Sequence, residues 1–194
     1  MSKTITIPEP ASVDRAALAA RIAEAALLRG RFTLRSGRTS SYYLDKYRFT
    51  TRPEVLAPIA ALLAERVGSL ARQASRAPDR LAGAELGGIP LVTATALATG
   101  LPAVFVRNQK KDYGTAQQLE GPLESGEALV LLEDVATTAG QAVEACATLR
   151  AAGAEVLGVV AVIDRQEGAA ETMAEAGIRF EALFTKADLG VRDE

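Results

Sequence analysis

Residues 130–141 read VLLEDVATTAGQ. An apolar run ends in two adjacent carboxylates, Glu133 and Asp134, and passes through Val135 and Ala136 into Thr137-Thr138-Ala139-Gly140-Gln141. Where a helix opens, its first backbone N–H groups are unpaired and electropositive, so small residues and hydroxyls there form a phosphate cradle. The Thr137 and Thr138 hydroxyls add donors, and the two carboxylates before the cradle suit the 2′- and 3′-hydroxyls of a ribose whose 5′-phosphate occupies the turn. The same residues also suit a plain strand–turn–helix junction, with Asp and Thr as caps. Position favours the ligand site, because open α/β sheets bind ligands beyond the carboxyl ends of their strands. Glu85, Arg107 and Asp164-Arg165 end apolar runs in the same way. Arg107, Lys110 and Lys111 also form a cationic cluster in the stretch RNQKKDYGTAQQ, whose plain reading is a solvated surface loop.

The rest of the composition removes other chemistries. The chain has no histidine, which excludes a Ser-His-Asp triad, a histidine general base and a histidine-rich zinc site. Cys146 is the only cysteine and lies between Ala145 and Ala147, the setting of a buried, inert thiol. A net charge of −2 argues against nucleic-acid binding, which needs a basic surface. No apolar run approaches transmembrane length, and MSKTITIPEPAS lacks a signal-peptide core, so the expectation is a cytoplasmic protein without a membrane partner.

At 194 residues, 48% hydrophobic and 24% charged, the chain fits one globular domain. Ser12 or Asp14 caps a first helix to about Leu28, which Gly30 stops. FTLRSGRTSSYYLDKYRFTT reads as two short strands around Ser36-Gly37-Arg38. Pro53 opens a second helix carrying Val55, Ile59, Leu62, Leu63 and Val67, and the polar stretch 71–79 reads as a surface loop. Strand-then-helix units follow: strands at 81–84, 103–106, 128–132, 156–163 and 178–184, and helices at 90–98, 141–152 and 169–176. Continuous apolar strands alternating with helices predict an α/β fold with a mostly parallel sheet covered on both faces.

The run from Glu133 to Gln141 resembles the phosphoribosyl pyrophosphate (PRPP) motif of the type I phosphoribosyltransferases. Further stretches are similar to the orotate-using members of that family. FTLRSGRTSSYYLD resembles their N-terminal hairpin, GAELGGIPL their pyrophosphate-side loop, RNQKKDYGTAQQLEG their mobile catalytic loop and VIDRQEG their last base-contacting strand end. The set runs in order from about Arg31 to Gly168. It implies a single domain over residues 1–194, with a small hood at about 12–50 bearing the hairpin and a core at about 53–185.

The resemblance also implies roles. Lys111 and Asp134 are the catalytic candidates. PRPP is expected to meet Arg107, Lys111, Tyr113, Glu133, Asp134, Val135, Ala136, Thr137, Thr138, Ala139, Gly140 and Gln141. Orotate is expected to meet Arg35, Tyr43, Leu44, Thr137 and Arg165, whose cations suit a dianionic base while Tyr43 and Leu44 face the flat ring. Pyrophosphate departs with several negative charges, so mobile cations in a closing, water-excluding loop answer a chemical need. In the family that loop enters the neighbouring subunit's site, so a homodimer with shared sites is implied. Mg²⁺ is expected to arrive chelated by PRPP, with no direct protein ligands.

The chain departs from the family at five places, one of them Gln141 where the phosphate turn often ends in serine. Asn108 stands where a lysine is usual, Tyr113 where a histidine is common, and Gly87 where some members carry lysine. Ala139 replaces a frequent glycine; if that position needs positive φ, it carries about 1 kcal/mol of strain or more. Two other readings remain: transfer to a purine base, opposed by the Arg35 hairpin and Arg165, and a non-catalytic PRPP-binding regulator, opposed by the lack of a basic DNA-binding module.

Overall fold

The computed structural model describes residues 13–33, 37, 39–108 and 118–191. Helix α1 (Arg15–Ala26) is capped by Asp14, whose side chain accepts the Ala17 N–H at 3.0 Å. It ends two residues earlier than expected. Leu27 and Leu28 already belong to strand β1 (Leu27–Thr33), so Gly30 sits inside a strand and does not terminate the helix. The pairing of β1 with antiparallel β2 (Thr39–Leu44) shifts register between Arg29 and Phe32, and Gly30 occupies that irregularity. Lys46–Thr50, read with the hairpin from the sequence, instead forms a short helix, α2.

Helix α3 (Pro53–Ala74) starts on its proline but runs past residue 71, ending at Ser75 in the left-handed conformation. The expected loop is therefore half helix: its polar residues form the exposed side of an amphipathic last turn. Strands β3 (Arg80–Ala84), β4 (Ala103–Val106), β6 (Ala128–Ala136), β7 (Glu155–Asp164) and β8 (Phe180–Thr185) match the expected series. So do helices α4 (Gly88–Thr99), α5 (Gly140–Ala151) and α6 (Ala169–Glu175). The two-residue β5 (Leu119–Glu120) and a 3₁₀ turn at Ala187–Leu189 carry too little sequence pattern to be expected.

The main sheet has the order β5-β4-β3-β6-β7-β8 and is parallel except for β5, which runs antiparallel to β4. β6 is the central strand. Its alternate residues divide between two cores: Val130 and Leu132 pack with α3 and α4 residues, while Leu129 and Leu131 pack with Cys146 and Leu149 of α5. Leu18, Ile22, Leu44 and Phe49 share the first core with Ile59, Leu63 and Leu81, so the hairpin-bearing region sits on the same apolar mass as the sheet. Gly83 brings α4 close to β3, since a β-carbon there would lie 2.6 Å from Val92 and 2.7 Å from the Gly88 carbonyl. That approach places the turn at 85–87 above the centre of the sheet.

Candidate active site

β6 does not stop at Leu132. It runs on through the acidic pair to Ala136, pairing with β7 as far as Asp164. Glu133 and Asp134 are therefore held on a hydrogen-bonded strand, which fixes their backbone directions. Asp134 is fully buried at 0% exposure and Glu133 half-buried. Asp134 Oδ1 accepts the Val135 N–H at 2.6 Å, and Glu133 Oε1 accepts the Asp134 N–H at 3.1 Å. Burial, then the neighbouring Asp134 carboxylate, hold the Glu133 carboxyl well above the usual carboxylate range.

Lys46 answers this concentration of negative charge. Its Nζ lies 2.9 Å from Asp134 Oδ2 and donates to Oδ1 at 3.2 Å, across 88 positions of sequence. The sequence offered no sign of it, because a single lysine after a hairpin has no spacing that marks it.

Beyond the acids, residues 137–139 lead into α5. Ala139 has φ 60° and ψ 7°, so the strain attached to positive φ at this position is present. No side chain caps α5, which leaves its first N–H groups facing a cleft of about 250 Å³. Lys46, Glu133, Asp134, Thr137, Thr138 and Gln141 all line that cleft. Val135, Ala136, Ala139 and Gly140 contribute to the same wall. The arrangement suits a phosphorylated sugar: donors for the phosphate at one end, buried carboxylates for hydroxyls at the other.

The turn after β3 packs against the acidic pair. Gly87 adjoins Asp134 so closely that a β-carbon would fall 1.4 Å from Oδ2. Asn108, at the family's lysine position, donates its backbone N–H to Glu85 Oε1 at 2.8 Å and its side-chain amide to the Glu85 carbonyl at 3.3 Å. Arg107 closes the base of its loop through an N–H donated to the Gln118 carbonyl at 2.8 Å, and its guanidinium lies 3.5 Å from Glu120. Lys111 and Tyr113, with Lys110, lie outside the described residues.

The base-side candidates separate. Tyr43 and Leu44 project to opposite faces of β2, so their side chains cannot both face one flat ring: Leu44 is buried in the core, while Tyr43 is 45% exposed and packs on Phe32. Tyr42 takes the inward position instead. Its hydroxyl accepts from Arg165 at 3.0 Å, and the Arg165 guanidinium lies 5.1 Å from its ring centre. Arg165 also pairs with Glu167 at 2.8 Å, and its buried Nε has no hydrogen-bond partner. Strand alternation in SYYLD separates Tyr42 from Tyr43, and Tyr42 is the one that meets Arg165. Arg35 lies outside the described residues.

Two carboxylates are oxygen donors of the kind a hard cation such as Mg²⁺ prefers. Among the described residues no group of three or more His, Cys, Asp or Glu side chains could hold a metal by itself. A Mg²⁺ ion held mainly by a ligand's phosphates fits that donor set. Among the described residues, no helix is long and apolar enough to cross a membrane.

Residues 48–180 match the model of the phosphoribosyl transferase domain. The chain is 49% identical over 160 residues to the orotate phosphoribosyltransferase of Natronomonas pharaonis, covering 82% of this chain and 87% of that one. The crystal structure of Mycobacterium tuberculosis H37Rv orotate phosphoribosyltransferase in complex with Fe(III) dicitrate superposes with a TM-score of 0.80 at 34% identity, over 92% of this chain and 100% of that one. A crystal structure of the same enzyme in complex with PRPP gives 0.77 at 32% identity, again over 92% and 100%.

Proposed function

The chain belongs to the phosphoribosyltransferase family, and on that premise we propose that it is an orotate phosphoribosyltransferase, joining orotate to PRPP to give orotidine 5′-monophosphate and pyrophosphate. One observation carries the reading: a buried acidic pair on β6 stands directly before an uncapped helix N-terminus in a single cleft. The cradle at 137–141 binds the 5′-phosphate, and Glu133 and Asp134 bind the ribose hydroxyls. Because Glu133 retains its proton to higher pH than an ordinary carboxyl, it can donate to one hydroxyl oxygen while Asp134 accepts from the other. Thr137 and Arg165 border the base, and the named relatives support orotate as that base.

The reaction separates the anomeric carbon from pyrophosphate through a state with positive charge on the sugar ring. Asp134 stabilises that charge at close range from a buried position. A histidine base is unnecessary if orotate enters already ionised, which agrees with the chain's composition. Mg²⁺, carried by PRPP, supplies charge neutralisation on the pyrophosphate. Arg107 and Lys111 attend the departing group, Lys111 as the principal cation. The sites are shared between the subunits of a homodimer; exposed Leu97 on α4, at 85%, and Leu86, at 61%, support an apolar contact with a second copy.

The test is direct: incubate the purified chain with PRPP, Mg²⁺ and either orotate or a purine base, and follow consumption of the base. Orotate turnover is expected, with no turnover of adenine or hypoxanthine. Purine turnover without orotate turnover refutes the assignment, and PRPP binding without either supports a regulator.

A further inference from the structure

We infer that Lys46 is a positioning residue for the transfer reaction, holding the Asp134 carboxylate in the orientation that meets the ribose. The inference rests on the function proposed above. Asp134 is buried on a β6 position whose backbone is committed to the sheet, so only its side-chain torsions remain to be set. Two contacts set them on one oxygen: Oδ1 accepts the Val135 N–H and the Lys46 ammonium. Oδ2 lies 2.9 Å from Lys46 Nζ yet accepts no hydrogen bond of good geometry, and it is buried. That oxygen keeps a lone pair that no protein N–H takes, and Asp134 lines the cleft proposed for the sugar. Oδ2 fills the space that a β-carbon on Gly87 would take, so a glycine at 87 is what allows this orientation.

Lys46 comes from a different part of the fold. It is the first residue of α2, directly after the hairpin, and α2 is anchored by fully buried Phe49. Charge supports the geometry. Burial disfavours the ammonium, but Asp134 and then Glu133 outweigh it, so Lys46 holds its proton more tightly than an ordinary lysine. Lys46 sits 2.9 Å from Asp134 Oδ2 and so offsets negative charge where a polyanionic donor must enter. The hairpin-bearing region thus takes part on the sugar side of the site as well as the base side.

The experiment measures PRPP binding with Mg²⁺ by titration calorimetry, and KM for both substrates, in wild type, Lys46→Met, Lys46→Arg, Asp134→Asn and the Lys46→Met/Asp134→Asn double variant. Lys46→Met is expected to weaken PRPP binding by about 10- to 100-fold, the scale of a lost charge-assisted hydrogen bond. KM for orotate should stay near its wild-type value, and Lys46→Arg should recover most of the loss. In the Asp134→Asn background the same substitution should change binding by less than about 2-fold, because the group it acts through is gone. An equal loss in both backgrounds, or none in the wild-type background, overturns the inference. If Lys46→Met lacks a cooperative thermal melt, Lys46→Gln carries the same comparison. A wild-type chain that binds no PRPP overturns the functional reading itself, which separates that failure from this one.

Discussion

Gly87 and Asp134, 47 positions apart in sequence, share a space that admits no β-carbon: one built on Gly87 would lie 1.4 Å from Asp134 Oδ2 and 2.5 Å from its carboxylate carbon. Gly87→Ala must therefore turn the carboxylate away from its present direction or displace the turn that carries residue 87. Misplacing a reacting group by about 1 Å costs on the order of 100-fold in rate. Gly87→Ala is expected to lose at least that much kcat/KM while keeping a cooperative melt, and Asp134→Asn to lose as much or more. A Gly87→Ala enzyme of near-normal rate would remove Asp134 from its assigned position.

Arg165 reaches from the end of β7 to Tyr42 on the hairpin. On the proposed function, Arg165→Ala removes a charge-assisted contact with the orotate carboxylate, worth about 1.5–3 kcal/mol, and is expected to raise KM for orotate far more than KM for PRPP. Tyr42→Phe removes only the hydroxyl that steadies the guanidinium, so its effect should have the same selectivity and be several-fold smaller. Equal changes in both KM values would place Arg165 outside the base site.

Ala139 offers a test of magnitudes. Relieving left-handed strain with Ala139→Gly gains about 1–2 kcal/mol. Greater freedom of glycine in the unfolded chain loses about 0.4–1 kcal/mol, and the buried methyl about 0.8 kcal/mol. The sum is near zero, so the unfolding free energies of wild type and Ala139→Gly from denaturant titration should agree within about 1 kcal/mol. Ala139→Val adds a β-branch to the same backbone and should destabilise clearly. A loss above about 2 kcal/mol in Ala139→Gly would show that methyl packing dominates.

Arg80 and Glu127 close the opposite end of the sheet with two contacts of 2.9 and 2.8 Å. Hydrogen bonding from Arg80, then from the Glu124 backbone, lowers the Glu127 carboxyl to about 2 from its ordinary 4.5. A carboxyl depressed on folding stabilises above its unfolded pKa and loses that contribution as pH falls toward its folded one. Stability should therefore decline between about pH 5 and pH 2, and Glu127→Gln should decline less steeply over that window while being less stable at pH 7. Thermal melts across the range decide it, and parallel pH profiles for the two proteins would exclude Glu127 as a source of the acid sensitivity.

The proposed sharing of sites between subunits predicts complementation. Lys111→Ala and Asp134→Asn proteins, each inactive, should regain activity when mixed and allowed to exchange subunits, because some heterodimers carry one intact composite site. Exchange is verified with a tagged chain. Verified heterodimers as inactive as their parents would confine the loop to its own subunit.

The sequence by itself determined the α/β class, the succession of the main strands along the chain and the small-residue turn that opens α5. Each depends on local signals: long apolar runs for strands buried on both faces, a 3.6-residue period for α3, and small or hydroxyl residues where α5 opens. The acidic pair was legible for the same reason, as charge ending an apolar run. Tertiary structure alone decided what faces that pair. Lys46 and Gly87 reach Asp134 from 88 and 47 positions away, and no periodicity within either segment encodes the meeting. It arises because β3 lies beside β6 and because α2 packs its Phe49 into the core they share. The choice of Tyr42 over Tyr43 is intermediate: alternation of a strand divides the two, but only the packing of β2 shows which face turns inward. Chain-local chemistry names the groups that react, and long-range packing fixes which partners orient them, because a side chain's neighbours in space are set by the whole sheet and not by its own segment.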